Sequence, residues 1–235
     1  MVPALAAFDL SVIIYVREPL DYLFSAYAQR VKAGNTDARL EQYAASFYVP
    51  YNDFVMAWQR AFPAARLCVR VFERAKLVRS DVRYDFLNLI GLPEESWHRL
   101  DIAQEDGNPS IGGDLLEFVR TLVPHKNTLG EAWWQLYAAV QTLALRHEAF
   151  RAKPAMPLEA QQLVRRRHHD QLVDFERNFL REGITLAIRD FPDENYRESI
   201  TLADFDMILD QIIEIDGQLR RWLIPAAATI RNGLR

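Results

Sequence analysis

Residues 11–32 read SVIIYVREPLDYLFSAYAQRVK. SVIIYV is a nearly continuous β-branched run, the composition of a strand buried on both faces in a parallel sheet. Pro19 then marks a helix start, where its missing N–H costs nothing. Leu20, Leu23, Phe24, Tyr27 and Val31 recur at helical spacing and predict a core face. Asp21, Ser25, Gln29 and Lys32 form a polar stripe beside it. Gly34 and Asn35 predict the helix end. Between strand and helix stands Arg17, and a buried strand has no packing use for a cation at its tip.

Working outward, residues 51–62 (YNDFVMAWQRAF) predict a second amphipathic helix, closed by Pro63, and 66–72 (RLCVRVF) a second strand. Strand, helical crossover, strand is the grammar of a parallel α/β sheet. Residues 80–92 (SDVRYDFLNLIGL) predict a helix opened by Ser80 or Asp81 and closed by Gly91. Beyond Pro109 the periodicity is helical throughout, with no fixed-period repeat. QEDGNPSIGG (104–113) is the best loop between the two textures. The expected architecture is one domain over residues 1–235, with an α/β part at 1–104 and a mainly helical part at 105–235.

The 235 residues carry a net charge of -4 and are 50% hydrophobic, enough for a substantial core and too acidic for a general nucleic-acid binder. Around Arg17 the balance tips the other way: from Arg17 to Arg79 there are ten Lys/Arg against six Asp/Glu. The single cysteine, Cys68, excludes an internal disulfide and a Cys-rich zinc site, and its apolar setting predicts a buried thiol in a reducing compartment. No apolar stretch reaches the ~20 residues of a membrane span. The N-terminus has no basic region before its apolar part, and Asp9 interrupts it. The expectation is a cytoplasmic protein.

In open parallel sheets ligands bind beyond the carboxyl ends of the strands. A guanidinium there can grip two phosphate oxygens. Ser25, eight residues later, can donate a further hydrogen bond, and a helix N-terminus favours an anion. Arg-x7-Ser across a strand-to-helix turn is a plausible phosphate clamp, set against Arg17 as a surface ion-pair former and Ser25 as a helix filler.

The stretch VIIYVREPLDYLFSAYAQRVKAG (12–34) resembles the 3′-phosphate segment of the sulfotransferases. There an apolar strand runs into Arg-x-Pro and then a helix carrying Ser and an aromatic residue. RLCVRVFERAKLVRSDVRYDFLNLIGL (66–92) looks like the family's later strand, acidic turn and helix. GNPSIGGDLLEFVR and HHDQLVDFERNFLREG resemble elements of its bacterial surface-carbohydrate branch. The resemblance spans roughly residues 8–190. It implies a P-loop-type parallel sheet, incomplete here, and a donor, 3′-phosphoadenosine 5′-phosphosulfate (PAPS), used as co-substrate without a metal. It places Arg17 and Ser25 on the donor's 3′-phosphate. The acceptor it implies is a hydroxyl, most naturally of a surface glycan.

The family's Gly-, Lys- and Thr-rich P-loop-like turn, which holds the 5′-phosphosulfate, has no counterpart in this sequence: TLGEAWW and IGGDLLEF lack the lysine. By resemblance the chain reads as a sulfotransferase lacking its front segment, with a sheet edge left open to self-association. A non-catalytic nucleotide-binding remnant or interaction module is one alternative. A glycosyltransferase is another, and Asp204-Phe205-Asp206, on a predicted helix, is a poor metal motif for it.

The catalytic base is undetermined. His98, His125 and His147 are isolated, and Glu73 follows the second strand, open to base chemistry or to an ion pair with Arg70 or Arg74. His168 and His169 of RRRHHD point ~100° apart on a helix, so a solvated basic face is favoured over a metal site. Trp133, Trp134 and Tyr137 suggest half-buried packing, with sugar stacking as the alternative; Asn108 and Ser110 lie in a loop that could reach a ligand.

Overall fold

A computed structural model describes residues 8–100, 109–153, 155–186, 188, 190–191 and 199–234. In chain order the elements are β1 (Ser11–Val16), α1 (Pro19–Lys32), α2 (Leu40–Ser46), α3 (Tyr51–Ala61), β2 (Arg66–Val71), α4 (Val82–Leu89), α5 (Gly113–Leu122), α6 (Lys126–Leu129), α7 (Ala132–Arg146), α8 (Leu158–Phe179), α9 (Leu202–Ile215) and α10 (Arg220–Leu234). Short 3₁₀ turns, including Arg74–Lys76 and Val78–Ser80, join them. The fold is α/β in the broad sense, mostly helical with one small two-stranded sheet among the described residues. β1 and β2 pair in parallel, Ser11 opposite Arg66 through Val16 opposite Val71. No helix among the described residues is long and apolar enough to cross a membrane.

The chain forms two compact units, each discontinuous in sequence. The first comprises Met1–Tyr22, Phe47–Glu105 and Leu163–Arg189; the second Leu23–Ser46, Asp106–Gln162 and Asp190–Arg235.

The first unit holds the sheet. One sheet face, Ile14, Val16 and Val71 with Val12, Leu67 and Val69, packs on Tyr51 and Val55 of α3 and Leu172 and Phe175 of α8. The other face carries Tyr15, Cys68 and Arg70, all only partly buried. The expectation of a strand buried on both faces is therefore corrected. β1 is half-buried, because the sheet has two strands and among the described residues one thoroughly apolar cover. Cys68 is likewise intermediate, not a core thiol. Asp81 caps α4, its side chain accepting from the Arg83 N–H, and Gly91 follows with φ +75°.

The second unit is helical among its described residues. The predicted core face of α1 is confirmed: Leu23 and Val31 have no exposed surface and Tyr27 is 1% exposed. α5, α7 and α9 bury an apolar core in which the Phe118 and Phe205 rings lie 4.9 Å apart. Gly34 ends α1 at φ +67°, with the Asn35 N–H donating to the Arg30 carbonyl. At Gly112 the backbone closes on residues 150–152. Its N–H donates to the Phe150 carbonyl at 2.7 Å, and a Cβ there would stand 1.7 Å from the Ala152 carbonyl oxygen. α2 has no counterpart in the sequence reading; its seven residues are too few for periodicity to show.

Candidate functional site

Arg17 leaves β1 at the carboxyl end of the strand, as expected, and is half-buried. Its carbonyl accepts the Tyr51 hydroxyl at 2.6 Å, which fixes the backbone where strand becomes helix. Its guanidinium lies 4.1 Å from the centroid of the Phe72 ring, the first residue after β2. Such a stack favours a cation and screens one face of it from water. The guanidinium makes no ion pair or hydrogen bond among the described residues. Burial lowers its pKa from the ordinary arginine value; Asp21 opposes that shift and Arg74 adds to it.

The helix N-terminus beside it is already answered. Both oxygens of the Glu18 carboxylate accept backbone N–H groups, Leu20 at 2.8 Å and Asp21 at 2.7 Å, and Glu18 is 6% exposed. The N–H donors that the sequence offered to a ligand are capped by the chain's own anion. The missed signal was Glu18 immediately before Pro19, an acidic cap ahead of a proline at the first helical position.

A second polar cluster lies on the β2 side of the sheet. Asp85 of α4, with no exposed surface, accepts from the Tyr15 hydroxyl at 2.8 Å, from Arg70 Nε at 3.2 Å and Nη2 at 2.5 Å, and from the Val78 N–H at 3.3 Å. Burial opposes ionisation of this carboxyl. The hydrogen bonds from Arg70, Tyr15 and Val78 outweigh it and hold the pKa below the ordinary value. Burial, with the bond to Asp85, pushes the Tyr15 hydroxyl well up. Every group in this cluster has a partner, so it ties α4 to the sheet and leaves no chemistry free.

Ser25 sits in α1 within the second unit, half-buried, and its hydroxyl makes no hydrogen bond among the described residues. Arg17 and Ser25 thus belong to different units. Asn108 lies outside the described residues; Ser110 is exposed. Glu73 pairs with Lys76 at 2.9 Å, whereas Arg70, one of its expected partners, is engaged by Asp85. His98 and His147 are exposed and His125 is half-buried.

His168 departs from the solvated face expected of RRRHHD. It has no exposed surface, while His169 and Arg166 beside it are exposed. Its Nε2 accepts the Val49 N–H at 3.0 Å, which places the proton on Nδ1, 2.8 Å from the Val164 carbonyl. Burial pushes its pKa down, the bond to Val164 opposing and Arg167 assisting. It is a neutral structural histidine.

In the second unit Lys32 leaves the predicted polar stripe. It is 4% exposed and donates to the Pro109 carbonyl at 3.1 Å. Burial pushes its amine down to about 8. Trp133, 1% exposed, donates through Nε1 to the Lys32 carbonyl at 3.1 Å, and Trp134 is 55% exposed. Lys32, Trp133 and Tyr137 pack with Val119, Leu136 and Val140 around a shallow surface crevice.

Comparison of the chain with known protein families, with curated proteins and with solved structures finds no match.

Proposed function

We propose that the chain binds the 3′-phosphate end of 3′-phosphoadenosine 5′-phosphosulfate and belongs to a sulfotransferase of P-loop-type fold. The reaction moves the sulfuryl group to an acceptor hydroxyl, most naturally of a surface polysaccharide. One observation carries this reading: a half-buried arginine at the carboxyl end of a parallel strand, stacked on Phe72, whose guanidinium makes no ion pair or hydrogen bond among the described residues. A partly desolvated guanidinium with no hydrogen-bonded acceptor is costly, and a bound phosphate reduces that cost. Ser25 joins it on the resemblance of residues 12–34 alone. The proposal extends to a cytoplasmic setting, and to self-association along β1 or β2, which pair with no third strand among the described residues.

Binding and turnover are separate expectations. In-line transfer needs cationic and N–H support for the departing 5′-phosphate, and no turn in this sequence has the Gly–Lys pattern that supplies it. That observation favours a second reading, a relative that binds the nucleotide without turning it over. Calorimetric titration of the full chain with 3′-phosphoadenosine 5′-phosphate tests the shared part. Wild type is expected to bind and Arg17→Ala to lose it. A folded wild type that does not bind overturns both readings. A labelled-sulfate transfer assay then divides them.

A further inference from the structure

We infer that Trp134, bordered by Tyr137, Gln29 and Glu131 in the helical unit, is a stacking platform for a neutral pyranose with all its hydroxyls equatorial, a β-linked glucose unit of a glycan. No residue of the strand-end reading takes part, so binding at one place does not require the other.

The run WWQLY of α7 places three aromatic rings close together in sequence, and the helical turn sends them to different sides. Trp133 enters the core and gives its Nε1–H to the Lys32 carbonyl. Trp134 points outward and is the most exposed of the chain's tryptophans. The other two exposed tryptophans have their rings engaged within the chain. Trp58 lies nearly parallel on Phe62, with 5.8 Å between centroids, and the Arg221 guanidinium stands 5.2 Å from the Trp222 ring. The aromatic neighbour of Trp134 is Tyr137, at 5.9 Å and tilted by 52°, so it flanks the indole without covering it. Gly130 and Ala138, one turn to either side, add no more than a methyl group.

Tyr137 is held in place. Gln29 of α1 donates to its hydroxyl at 3.5 Å, and the Lys32 amine stands 5.5 Å from its ring centre. A ring already fixed loses little freedom on binding. Groups able to meet sugar hydroxyls border the indole: the Glu131 carboxylate one turn before it, and the amides of Gln135 and Gln29, all three exposed. The amines packed on Trp133 and Tyr137 are turned onto backbone carbonyls, Lys126 to Ala33 at 2.7 Å and Lys32 to Pro109 at 3.1 Å. With a carboxylate one turn away and these amines turned inward, the place suits a neutral ligand better than a phosphate or sulfate. A pyranose with every hydroxyl equatorial shows only axial C–H groups on its two faces. These are slightly positive and meet the negative face of the indole, while the hydroxyls reach outward to carboxylate and amide. An axial hydroxyl needs a polar wall above the ring, and an open indole offers none.

The full chain, isotope-labelled for NMR, is titrated with cellohexaose, with β-1,4-mannohexaose, whose rings each carry one axial hydroxyl, and with 3′-phosphoadenosine 5′-phosphate. The readouts are the indole N–H resonances, that of Trp134 being identified by its loss in Trp134→Phe, and the affinity by calorimetry. Cellohexaose is expected to shift the Trp134 resonance saturably and to leave those of Trp97 and Trp133 in place. Trp134→Ala is expected to weaken cellohexaose binding about tenfold, the value of one aromatic stack, with the melting temperature unchanged, and Trp134→Phe to keep part of the binding. Mannohexaose should bind more weakly. Cellohexaose binding that Trp134→Ala leaves unchanged, or a folded wild type whose Trp134 resonance neither sugar moves, overturns the inference. Equal affinity for the two sugars overturns its equatorial part. A Trp134 resonance that moves with the nucleotide and with neither sugar overturns it as well and gives the indole to the nucleotide. The reading of Arg17 is decided separately, by nucleotide binding to wild type and to Arg17→Ala.

Discussion

Two arginines of the same small sheet have opposite fates. Arg70, in β2, meets a buried carboxylate through two hydrogen bonds, and that carboxylate is completed by Tyr15 and a backbone N–H. Arg17, one residue past β1, meets an aromatic ring and makes no ion pair among the described residues. The same side chain closes a structural network in one place and has no hydrogen-bonded acceptor among the described residues in the other. The pairing, not the residue type, separates a fold-holding arginine from one proposed to hold a ligand.

The largest effect expected to sharpen this contrast is on stability. Asp85→Ala should cost ~3 kcal/mol, the lower end of the range for breaking a buried pair, since Arg70 is partly exposed and can hydrate. Urea denaturation measures it. A loss below ~1 kcal/mol would place Asp85 among surface ion pairs and erase the distinction from Arg17.

Arg17→Ala should do the reverse. Affinity for 3′-phosphoadenosine 5′-phosphate should fall by ~1.5–3 kcal/mol or more, as expected for a hydrogen bond to a charged group. Stability should fall by no more than about 1 kcal/mol, the value of the stack on Phe72, because no ion pair is lost. A large drop in melting temperature without a change in binding would make Arg17 structural too.

His168 provides a third case, a buried base held neutral. Its folded pKa lies below the unfolded value, so between the two the unfolded chain binds more protons. The stability it contributes is fully present above the unfolded histidine value of about 6.5 and is lost as pH falls through the folded pKa. Denaturation midpoints followed downward from neutral pH should drop in wild type, and His168→Gln should flatten that drop. Equal slopes for the two would show that another group titrates.

The smallest expected effect is Tyr15→Phe, which removes one of the donors to Asp85 while keeping the ring beside Phe72. A loss of about 1 kcal/mol is expected, the net value of one hydrogen bond. Nucleotide affinity should not move, which checks that the Asp85 cluster and the strand end are separate.

Much of the architecture was legible because its signals are local. The β-branched run of β1, the helical spacing after Pro19, the Asp81 cap and the two glycine stops each act within a few residues. Arg17 was legible for the same reason, as a cation where strand becomes helix. The rest needed partners distant in sequence. Asp85 lies 70 residues from Tyr15, and His168 lies 119 from Val49. Lys32 looked like a surface residue by periodicity, and its burial depends on the loop at Pro109, 77 residues on. Glu18 is the exception: its capping role is local but acidic caps before proline are not the usual signature.

By itself the sequence determined the two strands, most of the helices and the position of Arg17, because hydrophobic period, caps and breakers are set by neighbouring residues. Only the tertiary structure decided which charges are answered. It seated Asp85 on Arg70, turned Glu18 onto its own helix and laid Arg17 over the Phe72 ring at the ends of two in-register strands. A charge finds or lacks its counter-charge through space, and sequence spacing does not carry that distance.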